Sequence, residues 1–339
     1  MAPSSLAALL SSGAGAVEPP VGVPRDGYLS VTVAGCHLLL GGTPQAGAGP
    51  VARCAERTAA AARAHGHHII PVVVVPHMSP SGQHACEAAH VSWFDLSGNA
   101  AIVAYNLRIF SSGRSSPFRR VGRPSSLFAP KSARVVRWLL IHHEQAFTQR
   151  ELARLTGVNE GLVSRLAGRL LEQGYAQRDA SGALQLHEPS LLLDAWRDQY
   201  DFARHNVIAG HVAARSGDAL TRTVAEACAR LGVEHAATGL AAAWLWTHFA
   251  GHRLATFFVG SMPSPELRSS LGFREDARGA NLWLVVPNDA GVFAGAEERE
   301  GVRCAHPVQV YLDLKGHPER ATEAAAQLRV QSLSWRHDA

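Results

Sequence analysis

The chain has 339 residues, 47% apolar and 18% charged, more than one hydrophobic core usually organises, so a soluble globular protein of two or three domains is expected. Its formal net charge of +4 permits an anionic partner without requiring one. The longest uncharged apolar runs, HIIPVVVV and TGLAAAWLWTHFAG, fall short of the roughly 20 residues that span a bilayer, and five cysteines scattered singly signal neither a disulfide framework nor a zinc site.

Residues 1–24 hold a short apolar stretch with no Lys or Arg before it. This reads as a disordered tail rather than a signal peptide, and a cytoplasmic location follows. From 25 to 115 the pattern is α/β. GYLSVTVAGCHLLLGG is a hairpin turning at Ala34-Gly35, and VARCAERTAAAARAHG is a helix. HIIPVVVVP is a buried strand and SGQHACEAAH a second helix. VSWFDLSGNAAIVAYNLRIF supplies two further strands turning at Ser97-Gly98-Asn99.

This order resembles the restriction-endonuclease-like fold, in which an Asp near one strand and a Glu-x-Lys ending another bind a metal. Carried over, the resemblance puts the Asp at about Tyr28, the Glu at about Gly41 and the Lys at about Thr43. None of these offers a carboxylate to a divalent cation, so a degenerate, inactive nuclease-like α/β sandwich is expected. Asp26 lies near the first position, but no shift of alignment brings an acid near Gly41. Asp95 and the histidines His65, His67 and His68 are the remaining candidates. Asp95 suits the tight turn that follows it, and the histidines, with His77, His84 and His90, match no metal spacing.

Between Leu96 and His143 there is no Asp or Glu, while Arg108, Arg114, Arg119, Arg120, Arg123, Lys131, Arg134 and Arg137 all fall inside. A one-sign segment repels itself unless something negative lies near, and a phosphate backbone is the usual candidate. Residues 116–130 read as a basic linker.

Residues 131–195 read as three helices and a hairpin. SARVVRWLLIHH is the first helix. TQRELARLTG carries a capping box, Thr148 with Glu151, and ends at Gly157. Asn159 can cap EGLVSRLAGRLLEQG, whose apolar face is Leu162, Val163, Leu166, Leu170 and Leu171. YAQRD and ALQLHE form the hairpin. The segment resembles the winged helix-turn-helix of bacterial regulators that read DNA with their third helix. That resemblance makes Asn159, Glu160, Ser164, Arg165, Gly168 and Arg169 the groove-facing set, with Thr148 and Gln149 at the second helix. Arg178 on the wing and Arg119, Arg120, Arg123 and Lys131 upstream are expected over phosphate.

Residues 196–339 return to α/β, after a helix read in LLLDAWRDQYDFARH. GDALTRTVAEACARLGV and HAATGLAAAWLWTHFA read as helices, RLATFFVG and ANLWLVVP as strands, and the chain closes with an Ala-rich helix. ATGLAAAWL with PVQVYLDLKGHPERATEAAAQL resembles the C-terminal domain of AbiEi-type antitoxins. The resemblance implies a repressor of its own operon that opposes a nucleotidyltransferase toxin; the extra domain in front is a departure from the short antitoxins. Gly260-Ser261 is not followed by the Asp-x-Asp a nucleotidyltransferase needs. Asp313 and Lys315, in YLDLK read as a strand end, share one solvated or capped face. No phosphate loop or dinucleotide fingerprint appears.

The expectation is an α/β (α+β) protein: an N-terminal nuclease-like sandwich, a central winged helix and a C-terminal AbiEi-like α/β domain. It binds double-stranded DNA as a regulator, with no catalytic residue, cofactor, metal or membrane association. A toxin protein and a second copy of the chain are its further expected partners. The alternatives are an antitoxin acting by protein contact and a residual metal-dependent nuclease.

Overall fold

The structure, a computed structural model, describes residues 28–45, 47–66, 68–115 and 127–335. The expected tail, Asp26, His67 and the linker arginines Arg119, Arg120 and Arg123 lie outside these residues. The chain divides into two compact units, 1–124 with Glu172–Tyr175, and 125–171 with 176–339.

The first unit is a six-stranded sheet in sequential order. Strands β1 (Tyr28–Val33) and β2 (Cys36–Gly42) form the expected hairpin, turning on Ala34 and Gly35 with φ of 50° and 77°. Strands β2, β3 (Ile69–Val75) and β4 (Ser92–Asp95) run parallel, linked through helices α1 (Ala48–His65) and α2 (Pro80–Ala88). Alternation sorts the side chains: Leu38, Leu40, Val72, Val74 and Phe94 make one buried face. Val73, Val75 and Trp93 meet Val51, Cys54 and Ala55 of α1 on the other. The stretch VSWFDLSGNAAIVAYNLRIF holds three strands, β4 and two more, rather than the expected two. After β5 (Ala100–Val103) the chain turns again into β6 (Arg108–Ser111), because Tyr105-Asn106 carries a second turn without the glycine that usually marks one.

The end of β2 explains its glycine. A Cβ on Gly41 would lie 2.0 Å from Thr58 Oγ1 of α1, so strand and helix approach too closely for any side chain, a glutamate least of all. Tyr28 pairs with Gly41 across the hairpin. Asp95 is wholly buried and accepts from the backbone N–H of Asn99 at 2.8 Å, from Asn99 Nδ2 at 2.9 Å and from the N–H of Met78 at 3.0 Å. Its carboxylate is committed to holding that turn.

In the second unit, helices α3 (Pro130–Ile141), α4 (Gln149–Thr156) and α5 (Glu160–Glu172) accompany a small sheet of β7 (Ala146–Phe147), between α3 and α4, with β8 (Ala176–Arg178) and β9 (Leu184–Leu186) after α5, in the order β7-β9-β8. Helix α6 (Pro189–Gln199) leads into a seven-stranded mixed sheet. Its strands are β10 (Asn206–His211), β11 (His235–Thr238), β12 (Ala255–Val259), β13 (Arg274–Glu275), β14 (Leu282–Val286), β15 (Glu297–Arg299) and β16 (Val302–Cys304). Helices α7 (Gly217–Arg230), α8 (Gly239–Thr247), α9 (Pro265–Leu271), α10 (Pro307–Asp313) and α11 (Ala321–Ser332) surround it. Leu220, Val224, Leu240, Val310 and Leu328 of these helices share one core with Phe257, Phe258 and Leu284 of the sheet.

Two readings are corrected here. His235–Thr238 is a strand pairing with β12 and β16, not the start of a helix, since sheet pairing outweighs the helix propensity of its alanines. PVQVYLD is a helix, not a strand. Pro307 occupies its first turn, where the fixed φ suits a helix, and His306 caps it by accepting from the N–H of Val308 at 3.2 Å. The alternation that suggests a strand misleads because all but one of its seven residues are buried.

Candidate nucleic-acid interface

The interface begins from how the second and third helices of the winged domain are held. Thr148 Oγ1 accepts from the Glu151 N–H at 3.2 Å, while Glu151 Oε2 accepts from the Thr148 N–H at 2.8 Å. These reciprocal bonds satisfy two N-terminal donors of α4 and hold the Glu151 carboxyl below its ordinary range. Thr148→Ala should therefore cost about 1 kcal/mol, read from urea denaturation. Helix α4 ends at Gly157, φ 65° and ψ 23°, a left-handed turn suited to glycine. Asn159 Oδ1 then accepts from the Leu162 N–H at 2.9 Å and opens α5.

Helix α5 buries Val163, Leu166, Ala167 and Leu170. The 3.6-residue period then leaves Glu160, Gly161, Ser164, Arg165 and Gly168 exposed, with Arg169 half-buried. A Cβ on Gly168 would meet nothing within 4 Å, so that face is open and low enough for close approach to a groove floor. The wing between β8 and β9 is shaped by Asp179, whose Oδ1 accepts from Ser181 N, Ser181 Oγ and Ala183 N. The Ser181 bond comes first among the causes that hold this carboxyl low. Arg178 is exposed, and its Nη1 donates to the Gly182 carbonyl at 2.6 Å, which places its guanidinium at the wing tip.

Of the residues expected at DNA, Ser164, Arg165 and Gly168 share one exposed face. Thr148 and Asn159 are exposed but committed to caps, Glu160 lies 3.9 Å from Arg150, and Gln149 is half-buried. Lys131 is exposed at the start of α3.

Two arginines of the acid-free segment depart from the phosphate reading. Arg134 Nε donates to both oxygens of Asp289, at 2.8 and 2.9 Å, and the hydrogen bond to that carboxylate raises its already high pKa. Arg137 is 3% exposed, and its Nε and Nη2 donate to Gln309 Oε1 at 3.1 and 2.7 Å. Their acceptors lie far along the chain, beyond the reach of any local pattern. Arg134→Ala should lower stability by no more than about 1 kcal/mol. It should leave the salt dependence of DNA binding unchanged, which titration at several salt concentrations would check.

Sequence reasoning missed the buried group to which Arg137 belongs. Asp313, wholly buried, accepts from Tyr200 Oη at 2.5 Å, Thr238 Oγ1 at 2.5 Å and Gln309 Nε2 at 2.7 Å. It shares no solvated face with Lys315, whose Nζ donates to the carbonyls of Arg197, Asp198 and Tyr200 at the end of α6. The spacing of Gln309 and Asp313, one helical turn apart, was the available signal, hidden by reading the segment as a strand.

Among the described residues no group of histidine, cysteine or acidic side chains could hold a metal ion, and no helix is long and apolar enough to cross a membrane. Residues 129–183 match the MarR family model. Residues 185–334 match the family described as transcriptional regulator, AbiEi antitoxin, type IV TA system. Neither model covers residues 1–128. None of the curated proteins compared with the chain matches it. Among solved structures, the crystal structure of Pseudomonas aeruginosa HmgR matches at 18% identity and a TM-score of 0.17, covering 61% of this chain and 64% of that one. This chain thus spans less than two thirds of that structure, and so low a TM-score transfers no fold.

Proposed function

Over residues 129–334 the chain is an AbiEi-like winged-helix regulator, and from that premise we propose that it represses transcription by laying α5 in the major groove. The observation that carries this reading is the exposed face of Ser164, Arg165 and Gly168, on a helix whose opposite face is locked into the domain core. A helix of this width fits the groove, and small residues let it approach base edges. Arg165 and Arg169 contact bases or phosphates, Arg178 follows the backbone from the wing, and Lys131 with Arg119, Arg120 and Arg123 supplies salt-dependent affinity. The protein works in the cytoplasm and catalyses no reaction. Its N-terminal unit is a nuclease-like scaffold without metal chemistry, consistent with a Gly41 that has no room for a side chain. Selection of bound duplexes from a random pool is the test. A sharp sequence motif supports the reading, and recovery of no DNA removes it.

A second reading has its own support. The match of residues 185–334 to an antitoxin family favours a protein partner, a nucleotidyltransferase-like toxin, received by the C-terminal domain. Co-purification with the product of a neighbouring gene tests it. Loss of the complex when residues 196–339 are removed would locate the contact.

A further inference from the structure

Beside the buried group of Arg137 and Asp313 lies a small cleft, open to solvent on one side, lined by Phe128, Ala133, Arg137, Tyr200, Asn288 and Val292 among others. Arg137 makes this cleft chemically unusual. Its guanidinium is buried, and among the described residues its only acceptor is the neutral amide oxygen of Gln309. Nη1 is buried with no hydrogen-bond partner. Leaving a charged, buried donor without a hydrogen bond is costly.

Among the described residues none of the nearby acids bonds Nη1. Asp289 is taken by Arg134 and by the N–H of Gly291 at 2.7 Å. Burial pushes the Asp313 carboxyl up to about 7, toward its uncharged form. Asp201, on the rim, lies 3.8 Å from Arg204. The rim holds two carboxylates, Asp201 and Asp289, against Arg134, Arg137 and Arg204, with Asp313 part-ionised behind Gln309. The other basic group on the wall does not compete for an anion. His205 Nδ1 accepts from the Asn288 N–H at 3.1 Å, and Nε2 meets Tyr200 Oη at 2.9 Å, so the ring is held neutral. Gly291 packs against Nη1 without a side chain, since a Cβ there would lie 2.8 Å from it.

We propose that this cleft binds a small organic carboxylate, one oxygen of which accepts from Arg137 Nη1 while its short apolar part rests against Phe128 and Val292. A carboxylate suits the site better than a phosphate. Two acids already stand on the rim to repel a dianion, and Phe128, Ala133 and Val292 offer an apolar side for a short chain. The site goes beyond DNA recognition, because it needs no nucleic acid to fill it. Arg137 and Ala133 both belong to α3, the first helix of the winged domain, so an occupant bridges that domain and the C-terminal sheet. Any effect on DNA affinity rests on the regulator reading; the binding does not.

The test is calorimetric titration of the full chain, without DNA, with propionate and butyrate, using propionamide and inorganic phosphate as controls. Saturable binding of the carboxylates, absent for propionamide and at least about tenfold weaker for phosphate, is the expected result. Arg137→Gln should weaken propionate at least about tenfold. Asn288→Trp, at an exposed position on the wall, should do the same by filling the cleft while leaving the guanidinium in place; it decides the matter if Arg137→Gln fails to fold. No saturable carboxylate binding, equal binding of phosphate, or binding undiminished by Asn288→Trp would each overturn the proposal.

Discussion

Asp313→Asn removes the loss of stability that Asp313 contributes to the parent protein between about pH 4 and pH 7. The Asp313 carboxyl is raised from 3.8 to about 7, chiefly by burial, against the lowering effect of its bonds to Thr238, Tyr200 and Gln309. A folded-state pKa above the unfolded one means the native state holds the proton more tightly. Its stabilisation is therefore complete below about pH 4 and lost as pH rises through about 7. At about 1.4 kcal/mol per unit, the swing is a few kcal/mol. Two histidines act in the opposite direction. His205 and His306 are both lowered to about 4, first by burial, so their contribution is present above the unfolded value near 6.5 and lost as pH falls toward 4. The parent should show two opposing slopes in this window. Asparagine keeps an acceptor for Tyr200 and carries no charge, so the variant should show only the histidine slope, rising with pH and flat above about 7. Urea midpoints at half-unit pH steps measure this; a variant curve parallel to the parent's would remove the role assigned to Asp313.

Arg165→Ala and Arg169→Ala should each weaken DNA binding by roughly tenfold or more, as expected for contacts worth about 1–3 kcal/mol. The two losses separate by kind. A base contact relaxes sequence preference at one position, whereas a phosphate contact weakens all duplexes alike and lowers the salt slope by about one. Arg165 is exposed and Arg169 half-buried, on a helix whose core residues are Val163, Leu166 and Leu170, so folding should be preserved in Arg165→Ala, and circular dichroism checks it for both variants. Mobility shifts on the protein's own upstream region provide the measurement. Undiminished affinity in the double variant would withdraw α5 from the groove.

Much of the winged helix was legible in the sequence because its signals are local. The Thr148 and Glu151 capping box, the left-handed Gly157, the Asn159 cap and the apolar spacing of α5 each act within a turn or two of the chain. The hairpin at Ala34-Gly35, the helix over Gly217–Arg230 and the role of Asp95 in its turn were legible for the same reason. Only the tertiary structure decided where the cations of α3 go. Arg134 and Arg137 resemble their neighbours in a basic run, but their acceptors Asp289 and Gln309 are 155 and 172 residues away. It also decided that the alternating PVQVYLD is a helix, since burial on nearly all sides erases the contrast between faces on which periodicity depends. Asp313 became a buried, proton-holding group by the same route. Local chemistry specifies an element, whereas the fate of a charge is set by whichever distant groups the completed fold brings beside it.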